Sequence, residues 1–281
     1  MRIVIVTYNS EKTIAACVQA ILSLGEGDTI HVGVHVCVID NNSTDRTRSI
    51  LSVWSDKVTL IFNNANVGYT KACNQGILSG TEKYVLLLNP DTEMNSRSVG
   101  ELIEFMEASP KVALAGPKLL YPNGQLQYSC RTFPNPVTFV CRALNFGEKT
   151  ALIKKHLMTG FDHATTMDVD WILGSCMIIR REAIDEIGLL DEKYPMYYSD
   201  IEICRRAWQR GWKVTYVPGI VATHHYQRQS SKRILSNPLA WSHFRSALRF
   251  FISTSEGRVN VPCIHSVRAK SERSISTSEE A

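Results

Sequence analysis

The first third of the chain alternates between two apolar patterns, and this alternation constrains the fold more than any other feature. Short continuous apolar runs are typical of strands buried on both faces, and they alternate with segments whose apolar residues recur at helical spacing. The predicted strands are RIVIVTY (2–8), HVGVHVCVID (31–40), KVTLIF (57–62) and KYVLLLN (83–89), and the predicted helices span 11–24, 43–54, 69–78 and 98–108. This order predicts βαβ units in a mainly parallel sheet with right-handed crossovers.

The rest of the chain is less regular. Four prolines interrupt residues 117–168, which we expect to form loops, short strands and a helix covering one side of the sheet. Beyond it the patterns predict a strand at 168–181, a helix at 201–211 closed by Gly211, a late strand at 212–218 and an amphipathic helix at 238–251. From about Ser253 the chain is rich in Ser, Glu, Arg and Lys, which predicts a disordered tail.

Composition narrows the class of protein. A hydrophobic content of 44% and a charged content of 21% are ordinary for a soluble globular chain. No apolar run approaches the ~20 residues that cross a bilayer, and the N-terminal segment resembles a first strand and not a signal peptide. The eight cysteines show no CxxC pair, so we expect reduced thiols in the cytosol. A net charge of +4 does not indicate nucleic acid, but it suits contact with phosphate or anionic lipid.

Three predicted strands end in polar clusters: TYN (7–9), DNNSTD (40–45) and NPD (89–91). Ligands of such sheets bind outside the carboxyl ends of the strands, so we expect these clusters to share one site. Pro90 must end its strand, which holds Asp91 rigidly at the strand mouth. The chain has no GxxxxGK[ST] loop and no GxGxxG after the first strand. The phosphates of a bound nucleotide would therefore need a metal or scattered cations and amides, and acidic strand ends suit a divalent metal.

Asp40 has two compatible interpretations. Its carboxylate could accept a hydrogen bond from the imide N–H of a pyrimidine base, with Thr7 and Tyr8 flanking the same pocket. Alternatively the segment is a helix start, with Asn42 or Ser43 as N-cap. Capping explains residues 42–45 but leaves Asp40 unexplained.

The segment NANVGYTKACNQG (64–76) is also ambiguous. It places Asn66, Gly68 and Asn74 around a helix start, where Gly68 supplies a tight turn and Lys71 or the helix N-terminus could face a phosphate. A surface loop with a solvated lysine is the commoner explanation for such spacing.

The segment MYYSDIEICRR (196–206) fits two conflicting interpretations, a helix cap and a catalytic site. Ser199 and Glu202 fit a capping box, in which Asp200 only complements the helix dipole. Aromatic residues crowd the approach, however, and positions 200 and 202 point to nearly opposite sides of a helix. If Glu202 serves the cap, Asp200 is free for chemistry.

Two features near the C-terminal end of the chain also have more than one interpretation. His224 and His225 follow the last predicted strand, where a histidine pair is more often structural than a ligand. The helix at 238–251 has Trp241, Phe244, Leu248 and Phe251 on one face, which either packs on the core or lies in a membrane surface.

Taken in order, VTYNS, VIDNNSTDRT, NVGYTKACNQG, LLLNPDTE, WILGSCMIIRR, MYYSDIEICRRAWQRGW and THHYQRQSS resemble family 2 glycosyltransferases, most closely the bacterial rhamnosyltransferase-like branch, over residues 2–251. The resemblance implies a GT-A fold over residues 1–225, with a donor half at about 1–116 and an acceptor half at about 117–225. A helical extension would follow at 226–252, and the tail at 253–281. It also implies a nucleotide-sugar donor, Mg²⁺ or Mn²⁺, and inversion at the anomeric carbon.

The resemblance further assigns roles by position. Asp91 matches the last acid of the family's DxD motif, with Asn89 where the first acid often stands, and Asp200 matches the general base, with Ser199 replacing the usual glutamate. His224 matches a late histidine near the diphosphate, although His225 leaves the register open. The expected donor-binding residues are Thr7, Tyr8, Asn9, Asp40, Asn66, Gly68, Lys71, Asn74 and Asn89, and the expected acceptor residues are Trp171, Gly174, Tyr197 and Tyr198.

The function that follows is an inverting glycosyltransferase of cell-surface glycan synthesis, acting at the cytoplasmic face of the membrane. We expect rhamnose from dTDP-rhamnose as the donated sugar, with a UDP-sugar as the other donor, and a saccharide or lipid-linked saccharide as acceptor. Asn89 and Ser199 also fit a sugar-nucleotide-binding or assembly protein without turnover. A nucleotidyltransferase is disfavoured because no Gly-rich basic loop follows the first strand.

Overall fold

A computed structural model describes residues 1–22, 33–143, 150–225 and 238–255. Its strands are β1 Arg2–Thr7, β2 His35–Asp40, β3 Thr59–Phe62, β4 Tyr84–Leu88, β5 Thr92–Glu93, β6 Val112–Leu120, β7 Leu126–Gln127, β8 Cys130–Arg131, β9 Met167–Asp168, β10 Trp171–Ile172, β11 Cys176–Arg180 and β12 Lys213–His224. Its α-helices are α1 Ile14–Leu22, α2 Thr47–Leu51, α3 Tyr69–Leu78, α4 Ser96–Ala108, α5 Pro136–Ala143, α6 Ala151–His156, α7 Arg181–Ile187, α8 Ser199–Gln209 and α9 Pro238–Ser255.

The central sheet has the strand order β3-β2-β1-β4-β11-β6-β12-β5, with β7 paired to β6 and β9 to β12. The strands β3, β2, β1 and β4 are parallel, and β12 is parallel to β6. Strand β11 runs antiparallel to both of its neighbours, β4 and β6. The predicted mainly parallel sheet is confirmed, and β11 is its central exception.

The position of β4, with a core cluster on each face of the sheet, explains why its sequence is apolar throughout. Val85 and Leu87 face a core cluster that includes residues of α3 and α8. Leu86 and Leu88 face the opposite cluster, together with residues of α1 and α4. Because helices cover both faces of the sheet, alternate side chains of β4 are equally buried.

Two predicted strands have different bounds in the structure. The segment 168–181 is not one strand. Strand β10 pairs with β8 in a separate two-stranded sheet, and residues 173–175 interrupt the strand structure before β11 begins. The late strand does not end at Pro218 but continues to His224. Its register with β6 shifts between Val217 and Val221, and this irregularity accommodates a proline that lacks a ladder donor.

Two predicted helices are also bounded differently. The helix expected at 43–54 is only α2 followed by a 3₁₀ turn at Ser52–Trp54. Helix α9 extends to Ser255, slightly past the expected start of the tail at about Ser253, and residues 256–281 lie outside the described chain, so the predicted tail stays a prediction. In the described ranges, no helix is both long and apolar enough to cross a membrane.

Candidate active site

The carboxyl ends of β1 and β2 form the first part of the candidate site. Thr7 and Asp40 are neighbours in the parallel ladder, and both side chains are buried. Asp40 Oδ2 accepts hydrogen bonds from Arg48 Nε at 2.5 Å and from the Ser43 amide at 3.1 Å. Within the described chain, Asp40 Oδ1 and Thr7 Oγ1 have no hydrogen-bond partner. Because buried polar atoms are nearly always paired, these two atoms favour a ligand at this position.

The N-cap predicted at Asn42 or Ser43 is wrong. Helix α2 begins only at Thr47, and its N-cap position, Arg46, makes no side-chain cap bond. Ser43 Oγ instead accepts from the Asn9 amide at 2.9 Å, and Asn9 Oδ1 accepts from the Thr44 amide at 2.8 Å. Asn9 therefore joins the two strand-end loops to each other, while Tyr8 beside it is exposed.

Asn66 and Gly68 lie beside the end of β2. The buried Asn41 donates to Asn66 Oδ1 at 2.9 Å, and the Gly68 amide donates to the same oxygen at 3.0 Å. Gly68 has φ 88° and precedes α3, as the predicted tight turn requires. A Cβ at this position would also lie 3.1 Å from the carbonyl oxygen of Pro195. Lys71 is exposed in the first turn of α3.

Asn74 was predicted to bind the donor, but its side-chain amide is hydrogen-bonded to the backbone of Leu190. Its side chain is buried, its Nδ2 donates to the Leu190 carbonyl at 2.9 Å, and its Oδ1 accepts from the Leu190 amide at 3.2 Å. We correct its role to a structural one: both ends of its amide hold α3 to the segment that leads to α8.

Asp91 and His224 form the second part of the site. The chain turns after β4, where the Thr92 amide donates to the Asn89 carbonyl at 3.0 Å. The turn places Asp91 Oδ1 at 3.3 Å from His224 Nε2. His225 lies instead beside Glu93, with 2.8 Å between Nε2 and Oε1. The His225 amide donates to the Asp91 carbonyl at 2.8 Å, but it is the imidazole of His224, and not that of His225, that faces the Asp91 carboxylate.

A hydrogen bond of 2.8 Å between His224 Nδ1 and Gln127 Oε1 orients the imidazole. With the amide oxygen as acceptor, Nδ1 carries a proton, so Nε2 is the ring nitrogen available to ligate a cation beside Asp91. A carboxylate oxygen and an imidazole nitrogen this close suit adjacent ligands of one divalent cation. The described residues contain no group of three or more His, Cys, Asp or Glu that could hold a metal.

Asp200, near the start of α8, forms the third part of the site. Its Oδ2 accepts from the Gly174 amide at 3.2 Å, and its Oδ1 accepts from the Ile201 amide at 2.9 Å. Burial raises the pKa of Asp200 above its ordinary value, while the two amides and the positive charge of Arg131 oppose that rise. A carboxylate with a raised pKa is a stronger proton acceptor than an ordinary surface aspartate.

The capping box predicted at Ser199 and Glu202 is wrong. Tyr198, with φ 73°, occupies the N-cap position and makes no side-chain cap bond. Glu202 is buried and accepts from Arg206 Nε at 2.8 Å, so it does not reach back to the helix start. Arg206 in turn donates to the carbonyl of Leu189 at 2.8 Å, which locks α8 to the chain after α7.

The break between β10 and β11 connects the second and third parts. While Gly174 donates to Asp200, the adjacent Ser175 carbonyl accepts from the Asn89 amide at 2.9 Å and from Thr92 Oγ1 at 3.3 Å. Two consecutive residues thus couple the Asp200 helix to the turn that carries Asp91.

Tyr69, at the start of α3, was not singled out from the sequence. Its hydroxyl donates to the Gly174 carbonyl at 3.3 Å. Burial and the neighbouring Cys73 raise its pKa, and the charges of Asp200 and Asp91 raise it further, so the phenol stays neutral. Arg48 and Gln127 were missed as well, because their roles depend on pairings across the fold that local patterns do not encode.

The predicted acceptor residues differ in accessibility. Trp171 is buried, donates to the Thr132 carbonyl at 2.9 Å, and has the Arg131 guanidinium 5.2 Å from its ring centroid. Its face is therefore covered, and we correct its role from sugar contact to support. Tyr198 is also buried, whereas Tyr197, three residues before Asp200 in the sequence, is partly exposed. Direct contact of Gly174 and Tyr197 with an acceptor stays a prediction.

In comparisons with known proteins, the chain is similar to glycosyltransferases. Residues 2–188 match the pattern of glycosyl transferase family 2. The chain is 27% identical over 242 residues to an N-acetylglucosaminyl-diphospho-decaprenol L-rhamnosyltransferase of Mycobacterium tuberculosis, covering 82% of this chain and 78% of the relative. It is 29% identical over 260 residues to the low-salt glycan biosynthesis hexosyltransferase Agl10 of Haloferax volcanii, covering 91% and 76%.

Among solved structures, GalNAc-T7 with UDP, GalNAc and Mn²⁺ superposes with a TM-score of 0.59 at 16% identity. The match covers 80% of this chain and spans 44% of that one. Identity this low shows the fold alone, and the shared fold is the GT-A-like arrangement expected from the sequence.

Proposed function

The chain belongs to glycosyl transferase family 2, and on that premise we propose that it transfers a sugar, with inversion, from a nucleotide-diphosphate donor to a hydroxyl of a saccharide acceptor. The observation that carries the proposal is the coupling of Asp200 to Asp91 through Gly174 and Ser175. A proton acceptor and a metal-binding acid are thereby held on two sides of one short segment.

The unpaired atoms at the first two strand ends support nucleotide binding. Asp40 Oδ1, which has no partner in the described chain, suits the imide N–H of a pyrimidine base. Arg48 occupies the other carboxylate oxygen and so orients the group. A thymine or uracil base satisfies this requirement equally. We prefer rhamnose as the donated sugar because the Mycobacterium tuberculosis relative is named as an L-rhamnosyltransferase, and dTDP as the nucleotide because a Shigella flexneri relative is named as a dTDP-rhamnosyl transferase.

Asp91 and His224 would hold Mg²⁺ or Mn²⁺ together with the donor diphosphate. The metal, when bound, offsets the charge that develops on the leaving nucleotide. Gln127 keeps the imidazole in the tautomer that can ligate. Because the described residues offer no group of three or more His, Cys, Asp or Glu that could hold a metal, the donor diphosphate would supply much of the coordination.

Asp200 would accept the proton of the acceptor hydroxyl as its oxygen attacks the anomeric carbon. The amides of Gly174 and Ile201 fix the carboxylate, and burial raises its basicity. Ser199, which stands where the family commonly has glutamate, is buried at the helix start. The raised pKa of Asp200 arises from its own environment and does not need a neighbouring acid.

The acceptor would be a saccharide, either polymeric or carried on a lipid. The name of the Mycobacterium tuberculosis relative includes a diphospho-decaprenol, a lipid carrier. A lipid-linked acceptor would place this chain at the cytoplasmic face of a membrane.

Replacing Asp200 tests the mechanism directly. We expect Asp200→Asn to lower transfer by ~10²–10⁴-fold, the usual contribution of a positioned base, while dTDP or UDP still raises the melting temperature. Asp56→Asn, a change at an exposed aspartate, is the matched control. Full activity of Asp200→Asn would remove this residue from the mechanism.

A donor assay separates this function from the alternative of sugar-nucleotide binding without turnover, which Asn89 and Ser199 motivate. The purified chain is incubated with dTDP-rhamnose and with UDP-sugars, with and without Mn²⁺, and release of the nucleotide diphosphate is measured. Slow metal-dependent hydrolysis supports the transferase. Tight binding with no release in any condition supports the alternative.

A further inference from the structure

Helix α9 presents four of its large apolar residues to solvent. Trp241, Phe244, Leu248 and Ile252 are between 46% and 55% exposed. The core contacts come from the other side of the helix, where Ala247 and Phe250 are buried. At 100° per residue, the four exposed side chains fall within one narrow stripe. The sequence left open whether Trp241, Phe244, Leu248 and Phe251 pack on the core or lie in a membrane surface. In the structure Phe251 packs against the core, whereas the other three face solvent.

Helix α5 extends this stripe. Val137 and Val140 are 61% and 50% exposed, and Phe139 between them lies 6.1 Å from the ring of Phe244. Phe139 also stacks on His243 of α9, with 5.7 Å between the ring centroids. We call the exposed side chains of Val137, Val140, Trp241, Phe244, Leu248 and Ile252 the apolar patch. These are half of the twelve exposed large apolar residues in the described chain, gathered on two adjacent helices.

The charged residues of the two helices that carry the apolar patch have one sign. The exposed Arg245 and Arg249 follow the stripe along one edge of α9. Neither α9 nor α5 contains an aspartate or a glutamate. An apolar stripe with tryptophan near one end and arginines along its border is typical of helices that lie in a lipid interface.

We propose that the apolar patch docks on an anionic lipid bilayer, with α9 lying in the interface plane. Lipid phosphates would pair with Arg245 and Arg249 while the patch enters the boundary of the acyl chains. A second copy of the chain is a poorer occupant. In a two-fold contact the patch would face itself, bringing like charges together with no acid on either helix to neutralise them.

Docking in this way would hold the candidate site close to the membrane. His243 of α9 contacts Tyr197 at 4.9 Å and Tyr198 at 5.4 Å between ring centroids, and these residues directly precede Ser199 and Asp200. Arg249 donates to the carbonyl of Lys193 and so fixes α9 to the same segment. On the proposed function, a saccharide on a membrane lipid would then reach Asp200 from the bilayer side.

Vesicle sedimentation tests the docking without any need for turnover. The full chain is mixed with vesicles of phosphatidylcholine alone or with added phosphatidylglycerol, and the bound fraction is measured. We expect binding that requires the anionic lipid. The double variant Trp241→Ser/Leu248→Ser should lose more than about tenfold in affinity, since two apolar side chains no longer leave water. Arg245→Gln should lose about fivefold on anionic vesicles, the equivalent of ~1 kcal/mol per basic side chain.

Val53→Ser is the matched control, because Val53 is 72% exposed on the 3₁₀ turn after α2, outside the apolar patch. Thermal melting confirms folding of each variant, and donor hydrolysis should stay unchanged in all of them. Equal sedimentation of the double variant and the parent chain would overturn the proposal. An absence of vesicle binding by the parent chain would also overturn it. If light scattering then showed a dimer that dissociates in the double variant, the patch would be an interface between two copies of the chain. If the parent chain does not hydrolyse any donor, this would count against the proposed function, but it would not change the conclusion drawn from sedimentation.

Discussion

At the scale of single residues, Asp200 balances two opposing effects. Burial disfavours the charged carboxylate and raises the pKa, while the Gly174 and Ile201 amides and the Arg131 charge favour it. Burial dominates, so the group titrates above its ordinary value of 3.8. A base must be ionised to accept a proton, and activity should therefore fall as the pH drops through the raised pKa.

This balance predicts a pH profile. We expect the acid limb of kcat/KM to bend above 3.8, and to move to higher pH in Arg131→Gln, because losing the positive charge leaves the carboxylate less stabilised. The profile is measured by nucleotide release across the acid range. Arg97→Gln removes a charge from the exposed surface of α4 and should leave the profile in place. A limb that moves to lower pH in Arg131→Gln would contradict this account of the Asp200 environment.

At the scale of elements, the break between β10 and β11 matters more than either strand. A continuous strand from 168 to 181 would direct the Gly174 amide into a ladder, whereas the break directs it to Asp200 and directs the Ser175 carbonyl to Asn89. Position 174 also leaves little room for a side chain. A Cβ at this position would lie 3.3 Å from the Cβ of Asp200, so one of the two residues would have to shift by a few tenths of an ångström.

Substituting Gly174 tests this coupling. We expect Gly174→Ala to lower kcat about tenfold with little change in melting temperature, because a small displacement of a catalytic group has a large effect on rate. Gly160→Ala is the control, since a Cβ there meets nothing within 4 Å. Unchanged kcat in Gly174→Ala would show that the position of Asp200 tolerates the shift.

At the scale of the whole molecule, the Asp91 site is assembled from three distant segments. Asp91 follows β4, His224 ends β12, and Gln127 lies in β7. Strand β12 brings them together because it pairs with β5 beside Asp91 and also with β6, which pairs with β7. Its continuation past Pro218 is what carries His224 to this end of the sheet.

Metal binding should therefore depend on the donor. Titration calorimetry should show weak Mn²⁺ binding to the free chain and at least about tenfold tighter binding with dTDP or UDP, because the diphosphate adds oxygen ligands. His224→Ala should weaken the ternary binding, whereas His225→Ala, which leaves Asp91 and His224 in place, should weaken it less. Tight Mn²⁺ binding without nucleotide would contradict a site that the substrate completes.

Much of the first half of the fold follows from the sequence. The apolar runs of β1, β2, β3 and β4 and the helical spacing of α3 coincide with the observed elements within a few residues. The division into donor and acceptor halves stays a prediction. The errors concentrate where a long-range contact overrides local pattern, as with Glu202, which pairs with Arg206 in the interior, and Asn74, which bonds to Leu190.

The sequence by itself determined the sheet, the strand ends that carry Thr7, Asp40 and Asp91, and the family, because apolar periodicity and motif order are local properties of the chain. Only the tertiary structure decided which histidine faces Asp91, what holds Asp200, and which face of α9 meets solvent. Those outcomes depend on strand register and helix rotation. Both are fixed by contacts between residues far apart in the chain, so no local pattern specifies them.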